Sequence, residues 1–491
     1  MRNQPQLITY ADRLGGGLDA IQALLSGPLA GLFGGVHLLP FYTPFDGADA
    51  GFDPTDHTTV DPRLGSWTDI QRLAKTHDVV ADFIVNHVSR ESREFSDLAR
   101  HGAESAYAGM FLTFDAVYPE GATEQDLLSV YRPRPGLPFV PVRWGGQRRL
   151  AWSTFTPAQI DVDVRHPQGQ AYLDRVLGAL TSNGVSLLRL DAVGYAVKTP
   201  GTSSFMTPDT LAFIAELTER ARDRGVEILV EVHGHYSLQI AVAEQVDWVY
   251  DFALPPLILH ALFTGDARVL GHWLEIRPAN AVTVLDTHDG IGVVDVGPTD
   301  FPTAQPGLLS ADDIDILVNR IHDNSEQTSR AATGLSASNL DIYQVNCTYY
   351  DALGRDDDAY LIARALQLFT PGIPQIYYVG LLAGTNDVDL LTASGVGRDI
   401  NRGQYTAAEI EAQLRRPVVR DLIRLIRLRA QHRAFAGTCQ IRSEDTTIAI
   451  EWTNDTERAT LTVDFAARTM DLAWTDGSTP RQMTRWPCRD A

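Results

Sequence analysis

Apolar positions along the chain fall into short, nearly continuous runs that alternate with longer stretches of helical periodicity. The runs are rich in Val, Ile and Leu, which is typical of strands buried on both faces of a sheet. They predict eight strands, over 6–10, 35–39, 79–85, 185–190, 227–230, 247–250, 281–285 and 373–379. Helical patterns lie between them, over stretches such as 67–75, 168–181, 208–224 and 359–369. Eight strand-then-helix units predict an α/β fold, the (β/α)8 or TIM barrel.

Two connections in this pattern are too long to be simple loops and predict inserted domains, one after the third strand and one after the seventh. Insertions after the strands of such a barrel lie on its C-terminal face, where active sites are found. Near the end of the chain, strict alternation of apolar and polar residues predicts a small antiparallel β domain. The predicted division is barrel over 1–86, 167–290 and 355–434, insertions over 87–166 and 291–354, and a C-terminal β domain over 435–491.

Composition narrows the possible partners and compartment. The 491 residues carry a net charge of −21, which favours solubility and argues against nucleic acid or an anionic membrane as a partner. Three cysteines, Cys347, Cys439 and Cys488, favour a reducing compartment over a disulfide framework and lack metal-ligand spacing. The first residues show no apolar signal-peptide core. We therefore expect a cytoplasmic protein.

Charged residues gather at the ends of the predicted strands. Arg189 and Asp191 end the fourth strand, and they point to the same side because they are two positions apart. A neighbouring guanidinium is expected to lower the pKa of Asp191 and keep it ionised. Taken alone, the pair fits a structural salt bridge as well as a nucleophile. Glu231 and Asp289 follow the fifth and seventh strands, and three repelling acids at one barrel mouth favour function.

Glycosyl transfer is the chemistry that needs such a set of acids. One carboxylate attacks the anomeric carbon, while a second carboxyl group, its pKa raised by neighbours, protonates the leaving oxygen. The segments that carry these acids resemble the signature regions of the α-amylase superfamily of glycoside hydrolases. They lie, in the right order, at 82–87, 188–191, 231 and 288–289, with two further superfamily motifs at 159–163 and 372–378.

Within that superfamily the chain resembles the bacterial sucrose phosphorylases. The similar segments are 6–15, 44–53, 132–139, 338–346 and 397–402. The resemblance implies that sucrose and phosphate give α-glucose 1-phosphate and fructose with retention, without a cofactor, and in a homodimer by analogy. Asn86 occupies a position where amylases bind calcium, but sucrose phosphorylases do not depend on calcium, so no metal is expected. The chain departs from the family at His235, which we expect to affect the acceptor side.

The resemblance also implies a role for each matching residue. Asp191 is the expected nucleophile, Glu231 the general acid/base, and Asp289 the group that stabilises the oxocarbenium-like transition state. The expected substrate-binding residues are His87, Arg189 and His288 on the glucosyl ring, Asp49 and Arg398 at the blind end, Phe52 and Phe155 packed on the sugar, Gln159, Asp341, Ile342, Tyr343 and Gln344 toward the acceptor, and Arg134 and Tyr195 on phosphate. Phe52 and Phe155 are also consistent with core aromatics, and Arg134 with a surface arginine.

Other functions stay open at this point. A related phosphorylase of sucrose 6′-phosphate, glucosylglycerol or glucosylglycerate would differ in its acceptor loops. A sucrose or α-glucoside hydrolase would turn over independently of phosphate. A catalytically inactive barrel used for binding would be of a different class, and the intact Asp191, Glu231 and Asp289 argue against it.

Overall fold

A closed barrel of eight parallel strands forms the centre of the molecule. The structure is a computed structural model and describes residues 1–47, 49–132, 136–299, 304–333, 344–476 and 479–486. The barrel strands follow one another in chain order, and the eighth pairs with the first. Their bounds are Gln6–Thr9, Gly35–Leu38, Asp78–Ile84, Val185–Asp191, Glu227–Val230, Trp248–Asp251, Ala281–Thr283 and Ile373–Tyr377. All eight predicted strands are confirmed.

Helices in the connections cover the outside of the barrel. Pro208–Arg222 illustrates why they form: Thr207 accepts a hydrogen bond from the Thr210 N–H, and Pro208 suits the first helical position. One face of this helix buries Phe213 and Leu217. The other covering helices are Leu18–Ser26, Trp67–Ala74, Pro167–Ser182, Tyr236–Ala243, Leu254–Thr264, Arg268–Ile276, Asp357–Phe369 and Pro417–Gln431. Within the described ranges, no helix combines the length and apolar character needed to cross a membrane.

A chain of polar contacts runs through the barrel interior. The Tyr250 hydroxyl donates to Gln375 Oε1 (2.9 Å) and lies 3.4 Å from His37 Nδ1. His37 Nε2 contacts Asp82 (3.2 Å), and Asp82 accepts a hydrogen bond from Arg189 (2.5 Å). All five side chains are buried. Satisfied polar networks in a core fix side-chain geometry, so this chain holds the Arg189 guanidinium in place from inside the barrel.

The two long connections have secondary structure of their own. After the third barrel strand come the strand pairs His87–Ser89 with Gln159–Asp161 and Phe139–Trp144 with Gln147–Trp152, and the helices Arg93–His101, Phe114–Val117 and Glu124–Ser129. After the seventh come the pair Ile291–Gly292 with Gln344–Val345 and the helices Ala311–Asn324, Thr328–Thr333 and Tyr349–Ala352. The domain boundaries predicted around them stay a prediction.

Shorter elements follow the second and the last barrel strands. They are the strand pair Tyr42–Thr43 with Asp56–Val60 and the helices Tyr378–Leu381, Val388–Ser394 and Ala407–Gln413. The chain then ends in a five-stranded antiparallel sheet, which confirms the predicted C-terminal β domain. Its strands are Thr438–Ser443, Thr447–Asn454, Glu457–Asp464, Thr469–Asp476 and Thr479–Trp486. The indole N–H of Trp452 donates to the Phe369 carbonyl (2.7 Å) and ties this sheet to a barrel helix.

Candidate active site

The fourth barrel strand brings Arg189 and Asp191 to the barrel mouth on the same side, as their spacing predicts. Arg189 Nη1 donates to Asp191 Oδ1 (2.8 Å) and to Asp82 Oδ1 (2.5 Å). Its Nη2 lies 3.9 Å from Glu231 Oε1. A single buried guanidinium therefore faces both the predicted nucleophile and the predicted acid/base. This arrangement fixes the two acids relative to each other.

The predicted direction of the Asp191 pKa shift is wrong. Burial raises the pKa of Asp191 well above its usual range, although the Arg189 guanidinium lowers it. The Glu231 and Asp82 carboxylates add to the rise. The cost of burying this carboxylate thus exceeds the attraction of one shared guanidinium. A retaining mechanism needs one acid that attacks as a carboxylate and a second that carries a proton.

The acids from the fifth and seventh strands lie close together. Glu231 follows its strand directly, and its Oε2 accepts a hydrogen bond from the Ala192 N–H (3.3 Å). One oxygen of Glu231, one ring nitrogen of His233 and one oxygen of Asp289 all lie within 4.8 Å of one another. The seventh strand itself ends at Thr283, so a loop rather than the strand carries Asp289. The predicted meeting of Asp191, Glu231 and Asp289 is present in the structure.

Asp289 is surrounded by cationic and potentially cationic groups. Its Oδ1 lies 2.8 Å from Arg398 Nη1 and 3.9 Å from Arg402 Nη2, and its Oδ2 lies 3.7 Å from His288 Nε2. Burial raises the pKa of Asp289, but the Arg398 and Arg402 guanidinium groups outweigh it and lower the pKa far below its usual range. A fixed, ionised carboxylate is suited to stabilising positive charge that develops in a transition state.

Phe52 and two predicted histidines pack together beside the acids. His288 stacks on Phe52 with ring centroids 4.9 Å apart and an interplanar angle of 10°. Burial lowers the pKa of His288 to about 3, so its ring is neutral. His87 Nε2 donates to the Phe52 carbonyl (2.9 Å), and burial lowers the pKa of His87 as well. Neutral imidazoles can both donate and accept hydrogen bonds, which suits sugar hydroxyls.

Arg402 connects the predicted blind-end residues and was missed by the sequence analysis. Its Nη1 lies 4.0 Å from Asp49 Oδ1, and its Nε donates to the His288 carbonyl (2.8 Å). With its contact to Asp289, this buried guanidinium touches three predicted site residues. The signal was present in the segment 397–402, where Arg402 lies four residues after Arg398.

Aromatic side chains form a wall on one side of the site. Phe155 contacts the rings of His87 and Tyr195, with centroids 5.4 Å and 5.3 Å away. Tyr195 also packs against Phe205 (4.7 Å) and Tyr131 (6.2 Å). The predicted pair Phe155 and Tyr195 therefore meets in the structure. Tyr131 and Phe205, which extend the wall, were not predicted.

Two predicted glutamines are buried and hydrogen-bonded. Gln159 Nε2 donates to the Phe52 carbonyl (3.2 Å) and lies 3.0 Å from His87 Nε2. Gln344 Oε1 accepts a hydrogen bond from the Gly290 N–H (3.2 Å), directly after Asp289. Both glutamines therefore lie next to predicted site residues. The remaining predicted residues lie outside the described part of the chain: Arg134, Asp341, Ile342 and Tyr343.

The Lys198 side chain lies beside Asn86, the residue that the resemblance matches to an amylase calcium position. Lys198 Nζ donates to Asn86 Oδ1 (3.0 Å) and lies 2.7 Å from Asp161 Oδ2. All three side chains are buried. Because Lys198 already contacts both side-chain oxygens, this position favours an internal cation over a metal ion. No local motif marks Lys198 in the sequence, since its partners lie far away along the chain.

A second group of side chains could hold a metal in principle. Glu231, His233 and Asp289 each offer one ligand atom, close enough to share an ion. Asp289 already pairs with Arg398, and His233 Nδ1 lies 2.9 Å from Asp295. These contacts use the groups for charge pairing, and we keep the prediction that no metal is needed.

Comparison with known proteins places the chain among its relatives. The family model described as "Alpha amylase, catalytic domain" matches residues 31–246. The chain is 58% identical to sucrose phosphorylase of Agrobacterium vitis over 95% of this chain and 96% of that one. It is 52% identical to sucrose phosphorylase of Bifidobacterium adolescentis over 99% of this chain and 96% of that one. The chain belongs to the sucrose phosphorylase family.

A solved structure supports the same placement. The crystal structure of sucrose 6F-phosphate phosphorylase from Thermoanaerobacter thermosaccharolyticum matches this fold with a TM-score of 0.90 and 36% identity. The match covers 99% of this chain and 98% of that one. The resemblance to sucrose phosphorylases within the α-amylase superfamily is thereby confirmed.

His235, the predicted departure from the family pattern, makes its hydrogen bonds within its own loop and to the connection after the seventh barrel strand. Its Nδ1 lies 2.8 Å from Ser237 Oγ, and its side chain caps the helix Tyr236–Ala243. Its Nε2 donates to the Pro306 carbonyl (3.0 Å), in the connection after the seventh barrel strand. His235 therefore joins the loop behind Glu231 to that connection. Its expected effect on the acceptor stays a prediction.

Proposed function

We propose that the protein is a retaining sucrose phosphorylase, which converts sucrose and phosphate into α-D-glucose 1-phosphate and D-fructose. The observation that carries this proposal is the Arg189 guanidinium between Asp191 and Glu231, with Asp289 beside Glu231. The 58% identity to the Agrobacterium vitis sucrose phosphorylase favours sucrose as the donor. This set of groups matches what a double displacement at an anomeric carbon needs.

The first displacement transfers the glucosyl group to the protein. The protonated Glu231 donates its proton to the fructosyl oxygen as the glycosidic bond breaks. Asp191 attacks the anomeric carbon and forms a β-glucosyl ester, and fructose leaves. The ionised Asp289 stabilises the oxocarbenium-like transition state. Asp191 has to be a carboxylate when it attacks. Burial raises its pKa, but the positive charge that develops at the anomeric carbon favours the carboxylate.

The second displacement returns the glucosyl group to phosphate. Glu231, now a carboxylate, accepts a proton from phosphate as a phosphate oxygen attacks the anomeric carbon. The ester bond to Asp191 breaks, and α-glucose 1-phosphate forms with the original configuration. Because the ester has to wait for phosphate, the site has to restrict the access of water.

The surrounding residues are assigned from the family resemblance and, where the structure describes them, from their places around the acids. His87, Arg189 and His288 bind the glucosyl hydroxyls. Asp49, Arg398 and Arg402 close the blind end. The remaining assignments are Phe52 and Phe155 packed on the sugar, Gln159, Asp341, Ile342, Tyr343 and Gln344 toward the acceptor, and Arg134 and Tyr195 on phosphate.

The proposal also covers the compartment, the oligomeric state and the partners of the protein. We propose that it acts in the cytoplasm, as a homodimer, on small molecules alone and without a metal or cofactor. The proposed divisions stay at 87–166 and 291–354 for the insertions and 435–491 for the β domain. The acidic net charge of −21 supports the absence of a nucleic-acid partner.

A product assay tests this function. Glucose 1-phosphate, glucose and fructose are measured from sucrose with and without inorganic phosphate, with Asp191→Asn as the inactive control. We expect glucose 1-phosphate and fructose in equal amounts when phosphate is present. Free glucose at the same rate in both conditions would make the protein a hydrolase.

Sucrose 6′-phosphate is the second candidate donor, because a solved sucrose 6F-phosphate phosphorylase shares the fold at a TM-score of 0.90. The comparison of kcat/KM for the two donors decides between them. We expect sucrose to be preferred. A higher value for sucrose 6′-phosphate, or turnover only with glucosylglycerol or glucosylglycerate, would assign the protein to a different phosphorylase activity.

A further inference from the structure

The buried carboxylate of Asp295 joins the connection after the seventh barrel strand to the loop that follows Glu231. Asp295 lies in the connection after the seventh barrel strand and is fully buried. Its Oδ2 lies 2.9 Å from His233 Nδ1, and its Oδ1 accepts hydrogen bonds from the Gly234 N–H and Gln239 Nε2, both at 3.2 Å. All three partners follow Glu231 in the chain. Asp295 therefore orients the loop that carries the acid/base.

The space for this contact is provided by a glycine. A Cβ at Gly292 would lie 2.1 Å from Asp295 Oδ2 and 3.1 Å from His233 Nδ1. The φ of Gly292 lies outside the left-handed region, so space rather than backbone conformation requires glycine here. Gly292 also pairs with Gln344, a predicted acceptor-side residue, in a two-stranded ladder. The Asp295–His233 contact is thus built into the acceptor side of the site.

His233 is enclosed by acids and by one aromatic ring. Its Nε2 lies 3.8 Å from Glu231 Oε1, and its ring stacks on Phe252 with centroids 3.9 Å apart. Burial lowers the pKa of His233, but Asp295, Glu231 and Asp289, the charged groups that face it, outweigh burial and raise it. The ring nitrogen that Asp295 does not hold, Nε2, faces Glu231, and a protonated ring carries an N–H there.

We propose that Asp295 is a positioning residue for the phosphate step. Asp295 accepts a hydrogen bond from Nδ1–H of His233 and so fixes the ring. It also favours the positively charged ring beside the phosphate from which Glu231 takes a proton. The carboxylates of Asp191, Glu231 and Asp289 repel an incoming anion. A positively charged His233 ring attracts phosphate and offsets part of that repulsion. A neutral fructosyl group gains only a hydrogen bond from it. This inference rests on the proposed function.

The variant Asp295→Asn separates charge from geometry. An asparagine keeps the size and one acceptor oxygen, and its amide N–H can donate to Nδ1, which leaves a neutral ring with Nε2–H in place. We expect the KM for phosphate to rise roughly tenfold, because a charge-assisted hydrogen bond becomes a neutral one. The rate of sucrose hydrolysis without phosphate should change by less than about threefold, because a neutral leaving group does not need the charge.

The pH profile provides a readout that a merely structural role would not change. In the wild type, the ratio of phosphorolysis to hydrolysis should fall as pH rises through the raised pKa of His233. In Asp295→Asn this fall should occur at lower pH, nearer the ordinary histidine value of about 6.5. Phosphate ionises identically in both measurements, so the difference between the two profiles reports on His233.

Two more variants complete the test. Gly292→Ala keeps every polar side chain but forces Asp295 and His233 apart, and it should raise the KM for phosphate in the same way. Asp351→Asn removes another fully buried carboxylate, one that contacts Thr348 and Arg355, and should leave the KM unchanged. Unchanged phosphate KM and pH profile in both Asp295→Asn and Gly292→Ala would overturn the inference while wild-type phosphorolysis stands. A wild type that makes no glucose 1-phosphate would instead overturn the proposed function, and the inference with it.

Discussion

The proposed glucosyl side and the proposed acceptor side of the site differ in the side chains that surround their acids. On the glucosyl side each acid meets an arginine: Arg189 holds Asp191, and Arg398 holds Asp289. On the acceptor side the proposed acid/base Glu231 faces, besides Arg189, a histidine, His233, whose charge depends on pH. Arginine is always protonated and fixes charge permanently, whereas histidine adjusts. The arginine-paired acids would form a rigid half that stabilises the transition state at the glucosyl group. Glu231 and His233 would form an adaptable half that acts first on fructose and then on phosphate.

The two sides also come from different parts of the fold. The Arg189–Asp191 pair lies on a barrel strand, and a polar chain inside the barrel supports it. Asp295 and Gln344, by contrast, lie in the long connection after the seventh strand. Barrel strands are constrained by packing on all sides, while such connections tolerate change. Changes of acceptor should therefore arise in the connections, and changes on the barrel side should abolish the reaction.

Removal of the nucleophile should give the largest effect. We expect Asp191→Asn to lower sucrose turnover by about 10⁴-fold or more, since no covalent intermediate can form. Initial rates of fructose release measure this directly. Residual turnover within tenfold of wild type would mean that another group captures the glucosyl unit.

The same variant tests the charge state of Asp191 through stability. Because the pKa of Asp191 is raised in the folded protein, the unfolded chain loses that proton first, at about 3.9. The stability that Asp191 contributes is therefore present below the unfolded pKa. It is lost as pH rises from there through the raised pKa of the folded protein. Asp191→Asn should melt at or above the wild-type temperature at neutral pH, and its advantage should shrink in acid. A clear drop in the melting temperature at neutral pH would contradict this account.

Loss of the acid/base should be the next largest effect. We expect Glu231→Gln to lower sucrose turnover by about 10²- to 10⁴-fold, because the fructosyl oxygen is no longer protonated. With α-glucosyl fluoride, whose leaving group needs no proton, the first step should be slowed far less. Equal losses with both donors would argue that Glu231 does not act as the acid.

A more moderate effect is expected at the blind end. Arg402→Lys keeps the charge but loses the Nε donor to the His288 carbonyl and the bridging geometry toward Asp49. We expect kcat/KM for sucrose to fall by about 10- to 100-fold through weaker positioning. Arg416→Lys, at a guanidinium that binds backbone carbonyls such as that of Ala383, is the matched control and should stay near wild type.

The aromatic wall should give the smallest effect. Phe155→Leu removes ring contacts with His87 and Tyr195, and aromatic packing of this kind contributes about 1 kcal/mol. In the reverse reaction we expect the KM for glucose 1-phosphate to rise by about fivefold, with little change for fructose. Phe114→Leu in the same insertion, packed on Tyr118 and Phe139, should leave both values unchanged. An equal rise for both variants would mean that Phe155 acts only through folding.

These two sides differ in what could be predicted from the sequence. The barrel followed from eight apolar runs, and the Arg189–Asp191 contact followed from their spacing on one strand, because both depend on local periodicity. Asp295 and Lys198 were missed, because their partners are distant along the chain and no motif marks them. The raised pKa of Asp191 was also missed, since it depends on burial that only the folded structure reveals.

Direct trapping of the glucosyl intermediate tests the central claim. Glu231→Gln is incubated with α-glucosyl fluoride without phosphate, digested, and analysed by peptide mass spectrometry. We predict a single glucosyl group on Asp191. When phosphate is added before digestion, this group should leave as α-glucose 1-phosphate, more slowly than in the wild type because the variant lacks the base. A label on any other residue, or full turnover with no label at all, would contradict the double displacement through Asp191.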